Sequence, residues 1–421
     1  MKKCKILLNL FLITGAIHAM HPEDPATRGG GHVRRPSTPF APILSRGGCS
    51  NALFTALEEL NAINLQLANR PSCAATPISQ ANFVTNQYNI VKPGNYCLTE
   101  NCTGKINIIV SNVTLDLNSF NIISTAASQP AIRIAGNYVT VKNGSASTPA
   151  STGHTEYPQG VIRVFDSNYC TLQDLTINFC GTECTRSTEE HNSMIRKPVN
   201  YGMLLIDSSN NVIVERVVAY SNTNANVSLQ ALSTTNLFVL DSIFDSAQSV
   251  IGLNGACFNI LVSGCSFRNA VDGAGLKCVG CRNLSITNSN ALDNGAAGFA
   301  IYTETINFEI INCNVISNDF DGITVDRTCN YGTIDSCNAL SNVGNGFNVS
   351  GAGSSIIVQN CDANNNAAFG FLSGTASVRF WNNAAINNNN GGGDYNIASG
   401  DPVLAIGDPN FAAGYNVAGV A

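Results

Sequence analysis

Two cysteines three positions apart, Cys278 and Cys281 in LKCVGCRN, are the first residues of this 421-residue sequence whose spacing could do chemistry. A tetrahedral zinc site would need a second such pair, or histidines at matching spacing. The chain has five histidines, all before residue 192, so the pair lacks partners. Paired carboxylates come next: Asp319 with Asp321, and Asp241 with Asp245, are near enough in sequence to stand within the roughly 5–10 Å that two-acid hydrolysis uses. Both pairs also sit where turns commonly use Asp. The third candidate is the stretch NFCGTECTRSTEEHNSMIRKPVN, which holds Glu183, Arg186, Glu189, Glu190, His191, Arg196 and Lys197. In a chain with only 12% charged residues this density marks Glu189, Glu190, His191, Arg196 and Lys197 as binding candidates.

The elements that must carry these residues emerge from a repeat. Aligning on the residue before a short β-type run gives Asn112, Tyr138, Tyr169, Asn211, Asn236, Asn259, Asn283, Asn307, Tyr331, Ser355 and Ser377. From Asn211 the steps are 25, 23, 24, 24, 24, 24 and 22 residues. Apolar residues recur one and three places after this anchor, as in Leu284 and Ile286 or Phe308 and Ile310, which reads as the inward side of one strand per repeat. Six places after it come Cys265, Ser289, Cys313, Cys337 and Cys361; two before it come Cys257, Cys281 and Cys329; eleven after it come Asn294, Asn318, Asn342, Asn366 and Asn388. A unit of about 24 residues is too short for a strand–helix–strand crossover. It fits one coil of a parallel β-helix, with successive coils about 4.8 Å apart and equal residues stacked into ladders. Cys278 and Cys281 then fall in inward columns, and the metal reading gives way to small core residues. The charge run at 181–200 is the large break in the period, and insertions in a solenoid often build its binding groove.

Residues 1–19 place three lysines before an apolar run and end in Ala19, the pattern of a secretory signal peptide. No stretch approaches the about 20 apolar residues of a membrane span. Residues 20–48 read as a flexible leader. Leu53, Leu57, Leu60, Ile63 and Leu67 predict a helical cap within 49–82, the β-helix occupies 83–390, and 391–421 forms a second cap or tail. Sixteen cysteines in an exported chain raise the disulfide question; the pairs outside the ladders are Cys97 with Cys102, Cys180 with Cys184, and Cys49 with Cys73. A net charge of −6 and the lack of a basic face argue against nucleic acid.

NVTLDLNSFNI at 112–122, preceded by KPGNYCL at 92–98 and followed by Asn-rich repeats, resembles the opening of right-handed parallel β-helix proteins of the pectin-lyase-like superfamily. The resemblance covers about residues 83–390 and implies an all-β, right-handed solenoid of about 11 coils. It names no activity, because the superfamily spans lyases, hydrolases, epimerases, tailspikes and non-catalytic surface proteins. The Asn-Thr-Asp, Asp-Asp, Gly-His-Gly and Arg-Ile-Lys signatures of polygalacturonases are missing, as is the Asp-Pro-His pattern of alginate epimerases. Lyases of this fold use a basic residue beside a uronate carboxylate that Ca2+ or another cation neutralises. Lys277, Tyr302, Asp326 and Arg327, on outward positions of neighbouring coils or beside them, are the residues that could share such a site.

The expectation is a secreted or surface-exposed β-helix that binds polysaccharide, surface glycan or protein partners along its flank, without catalysis and with no required cofactor. The competing expectation is a polysaccharide lyase or epimerase built on Lys277 and Tyr302.

Overall fold

A computed structural model describes residues 75–125, 129–148, 160–179, 202–221, 227–245, 249–326, 328–374, 378–388 and 395–397. The leader, the helical pattern at 50–69, the insertion at 181–200 and Arg327 lie outside them.

Three αL corners in each regular coil explain how so Asn-rich a chain folds. Every described anchor residue has positive φ, from 53° at Asn236 to 62° at Asn112, and includes Tyr138, Tyr169 and Tyr331 at 57°. A second corner stands five residues later at Asn288, Asn312, Ser336 and Asn360, and a third ten residues later at Asp293, Ser317, Ser341 and Asn365. Asn and Asp tolerate this conformation best among residues with a Cβ. The corners divide each coil into three short strands, and strands of successive coils pair in parallel. Face 1 is a 13-stranded sheet running from Gln87–Ile90 through Leu276–Val279, Phe299–Tyr302 and Ile323–Val325 to Tyr395–Ile397. Face 2 carries strands such as Ile306–Ile311 and Asn330–Asp335, and face 3 carries Asn314–Ile316 and Asn338–Leu340. Faces 2 and 3 join into one sheet through the long strands Val139–Thr148, Asn168–Phe179 and Asn210–Ser221. Pairing extends from Thr76–Ile78, a three-residue strand with a proline at its centre that gives almost no periodic signal in sequence.

The interior is one continuous core of Ile, Val, Leu and Phe. Phe347 and Phe371 stack with ring centroids 4.9 Å apart. Phe308 lies over Gly332, where an added Cβ would come within 2.0 Å of the ring. The asparagine ladder is buried rather than external: Asn318 Nδ2 donates to Asn342 Oδ1 at 2.8 Å and to the Ala291 carbonyl at 3.3 Å, and the Asn318 backbone N–H donates to the same Asn342 Oδ1 at 3.0 Å. Asn342 repeats this pattern onto Asn366, and Asn366 onto Asn388. Each amide thus satisfies the corner backbone that water cannot reach. A second, external ladder links the anchors, as in Asn283 Nδ2 to Asn259 Oδ1 at 2.8 Å.

The cysteines among the described residues carry free thiols. Cys313 donates to the Ile311 carbonyl two residues back at 3.3 Å and Cys337 to that of Asp335 at 3.2 Å, and Ser289 does the same to Thr287 at 2.8 Å in its coil. Burial pushes the thiols of Cys170 and Cys265 up to about 12, so they stay protonated and inert. The expected Cys97–Cys102 bridge does not form. Cys97 points outward between the inward residues Tyr96 and Leu98, whereas Cys102 points into the core. Cys180–Cys184 and Cys49–Cys73 lie outside the described residues.

Candidate functional site

Face 1 is where chemistry-bearing side chains gather on an outer surface. Its central outward column runs in register through Asn89, Asn107, Arg133, Arg163, Leu205, Gln230, Gly252, Lys277, Ala300, Thr324, Asn348 and Leu372. Residues two places away in each strand point outward as well.

In the C-terminal half the structure brings Lys277, Tyr302 and Asp326 to this one surface. Lys277 is exposed, with Nζ 5.7 Å from the centroid of the Tyr302 ring. The ring packs against Ala274, Ala297 and Ala300, small residues that leave it room. Burial, then the negative charges of Asp326 and Asp321, push the Tyr302 phenol above its ordinary value. A phenol so placed keeps its proton and serves as a donor rather than a base. Thr324, Asn348 and Ser350 supply hydroxyls and an amide beside it, and Ser350 Oγ lies 2.7 Å from Asn348 Oδ1.

The carboxylate pairs dissolve on inspection. Asp321 is 1% exposed, and its two oxygens accept four hydrogen bonds: Oδ1 from the Asn345 backbone N–H at 2.7 Å and its Nδ2 at 2.8 Å, Oδ2 from Thr324 Oγ1 at 2.9 Å and Asn348 Nδ2 at 2.8 Å. Its acceptor capacity is full. Gly344 makes the seat, since a Cβ there would lie 2.5 Å from Asp321 Oδ1. Asp319 is exposed on the turn before it. Asp245 accepts Arg268 Nε at 2.7 Å and Asn269 Nδ2 at 2.7 Å, and Asp241 is an exposed αL corner. Cys278 and Cys281 are fully buried; Cys281 donates to the Leu253 carbonyl, and Cys278 Sγ lies 3.7 Å from Thr305 Oγ1. Arg327, Glu189, Glu190, His191, Arg196 and Lys197 lie outside the described residues.

The N-terminal half of the same face holds residues that sequence reading passed over. Asn107, Arg133 and Arg163 stack in consecutive coils, and Lys105 stands two residues before Asn107 on the same side of its strand. Their signal was present in the shared Ile-Arg, each followed by a branched residue, of AIRIAG at 131–136 and VIRVFD at 161–166. It is hard to read because these coils precede Asn211, where the regular step of about 24 residues begins. A separate polar cleft of about 540 Å³ lies at the corner of faces 2 and 3, lined by Asp116, Asn143 and Asp174 among others. Its carboxylates are engaged: Asp116 by Asn143 at 3.1 Å and Lys142 at 3.9 Å, Asp174 by Arg216 at 2.6 Å.

Residues 183–331 match the right handed beta helix region family. No curated protein matches the chain in sequence. Among solved structures the chain is similar to the periplasmic alginate epimerase AlgG, at 10% identity over 79% of this chain and 72% of that one, with a TM-score of 0.38. It is similar to the Dettilon tailspike protein gp208 at 12% identity, over 69% of this chain and 61% of that one, with a TM-score of 0.42. It is also similar to PfbA, a surface adhesin of Streptococcus pneumoniae, at 12% identity, over 74% of this chain and 76% of that one, with a TM-score of 0.37. Likenesses at these values carry no argument about activity. The parallel three-faced coil and the match at 183–331 together make the fold a right-handed parallel β-helix. No helix among the described residues is long and apolar enough to cross a membrane.

Proposed function

We propose that this chain is an exported, non-catalytic β-helix that binds glycans along the outer surface of face 1. The observation that carries the reading is the Lys277–Tyr302 pair set among Thr324, Asn348 and Ser350 on neighbouring coils. An aromatic ring offers an apolar face to sugar C–H groups, while amides and hydroxyls both donate to and accept from sugar hydroxyls. Phe320, 58% exposed on the turn that leads into Ile323–Val325, adds a second aromatic beside the same face. Such binding requires no cofactor.

Two features favour binding over turnover. The Tyr302 phenol is held protonated at neutral pH, which unsuits it to remove a proton. Asp321, the most buried carboxylate near it, has every acceptor position filled. The phenol is placed to donate, and the carboxylate has no acceptor position left to offer a substrate.

The test is to screen the exported chain against a polysaccharide panel, scoring retention in affinity gels and the ultraviolet absorbance of unsaturated sugar ends. Retention without new absorbance, weakened in Lys277→Ala and Tyr302→Ala, is the expected result. Absorbance that rises with time and is lost in Lys277→Ala would establish a lyase and end the binding reading.

A further inference from the structure

We infer that Lys105, Asn107, Arg133 and Arg163 form an anion-binding subsite on the N-terminal half of face 1, built for the acidic group of a glycan. This rests on the glycan-binding reading and adds the charge class of the ligand.

Three cations in three consecutive coils are unusual for a chain of net charge −6. The register places Arg133 directly across from Arg163, and Asn107 directly across from Arg133. Strands in one sheet are about 4.8 Å apart, so the side chains leave the same surface as near neighbours, and like charges so placed repel. Burial, and then the charges of Arg133 and Arg163, hold the Lys105 ammonium below its ordinary value, so both guanidiniums are near enough to act on it. Among the described residues neither Lys105 nor Arg133 forms a salt bridge. The Arg163 guanidinium lies over the Phe165 ring, 5.0 Å from its centroid, a cation–π contact that helps position it. Such repulsion persists in a fold when something else in the molecule's working life offsets it, and a bound anion does so directly.

Asn107 gives the second, independent indication. It is 7% exposed, and its Nδ2 donates to Asn89 Oδ1 at 2.8 Å, yet its Oδ1 is buried with no hydrogen-bond partner. A buried acceptor left unmade costs stability. Set between the Lys105 and Arg133 positions, it would take a hydroxyl from a ligand whose anionic group the cations hold. Chloride or sulfate supplies no such donor; an acidic sugar supplies both parts.

Three polymers of one backbone separate the possibilities: uncharged dextran, carboxymethyl dextran and dextran sulfate, each titrated onto the full exported chain at two salt concentrations. Arg133→Gln and Asn107→Ala report on the subsite. Arg379→Gln, an exposed arginine on face 2, removes the same charge elsewhere. The expected result is binding of a charged polymer that weakens with salt, falls about tenfold or more in Arg133→Gln, falls further behind in Asn107→Ala than in the control, and is unchanged in Arg379→Gln. Preference between the carboxylate and the sulfate polymer names the acidic group. Equal losses in Arg133→Gln and Arg379→Gln would mean that net charge alone attracts the polymer and would overturn the subsite. Binding on the panel confined to uncharged glycans would also overturn it while leaving the proposed function standing; no binding to any glycan would end both. Circular dichroism of each variant confirms that the coil is intact before binding is scored.

Discussion

The coils from Cys257 to Asn388 and those from Thr76 to Phe179 share one fold and differ in how they satisfy it. In the later coils the buried amide column repeats one residue type, and its members from Asn294 to Asn388 hand hydrogen bonds from coil to coil. In the earlier coils no such continuous amide column forms, and buried acceptors on Asn107, Asn121 and Asn178 have no partner; in the later coils Glu309 and Asn364, outside the amide column, are in the same state. Uniform columns let every coil solve the same hydrogen-bonding problem in the same way, which is stabilising and says nothing about a ligand. Departure from uniformity carries a cost, and the departures that also gather charge or aromatic rings on one outer face are where function is to be sought.

Asparagine replacement probes this contrast most strongly. Asn342→Ala removes the acceptor for the Asn318 backbone and side chain and the donors to Asn366 and Val315, leaving buried groups unpaired. A loss of roughly 2–5 kcal/mol in urea unfolding is expected. Asn107→Ala removes only one hydrogen bond together with an acceptor that had none, so its cost should stay within about 1 kcal/mol. Similar losses in the two would erase the distinction between the regions. Gly332→Ala comes next: the added methyl meets the Phe308 ring and should cost about 1–3 kcal/mol through overpacking.

Smaller effects sharpen the account of the thiols and the one strained carboxylate. Cys313→Ser should change stability by less than about 1 kcal/mol, because Ser289 already fills that column with the same carbonyl contact. Its thiol and those of the other ladder cysteines should resist alkylation until the chain unfolds. Glu309 has a buried oxygen without a partner among the described residues, and burial pushes its carboxyl above the ordinary value. The folded chain therefore keeps this proton to higher pH than the unfolded chain, and the stability that the neutral form contributes is lost as pH rises through the raised value. Glu309→Gln should raise the Tm at neutral pH and leave it unchanged below the usual carboxylate range.

The repeat was legible because its corners demand αL-tolerant residues, and Asn, Asp and Ser at fixed steps announce them. The inward columns followed from alternation, and Cys278 with Cys281 left the metal reading as soon as they fell into those columns. The candidate site was legible only in part. Lys277, Tyr302 and Asp326 could be placed on one face since their coils align on a leading glycine. Arg133 and Arg163 were hidden in coils that precede the regular step beginning at Asn211. Asp321 looked like half of a catalytic pair because sequence cannot show that Asn345, Asn348 and Thr324 from other parts of the coil stack would occupy its oxygens.

Hydrogen–deuterium exchange of the full chain with and without a glycan that it retains tests the assignment of face 1 most directly. Protection confined to face 1 strands, Lys105–Ile108, Ile132–Ile134 and Ile162–Phe165 together with Leu276–Val279, Phe299–Tyr302 and Ile323–Val325, is the predicted result. Protection falling instead on face 2 or face 3 strands such as Ile306–Ile311 or Asn314–Ile316, with face 1 unchanged, would contradict it.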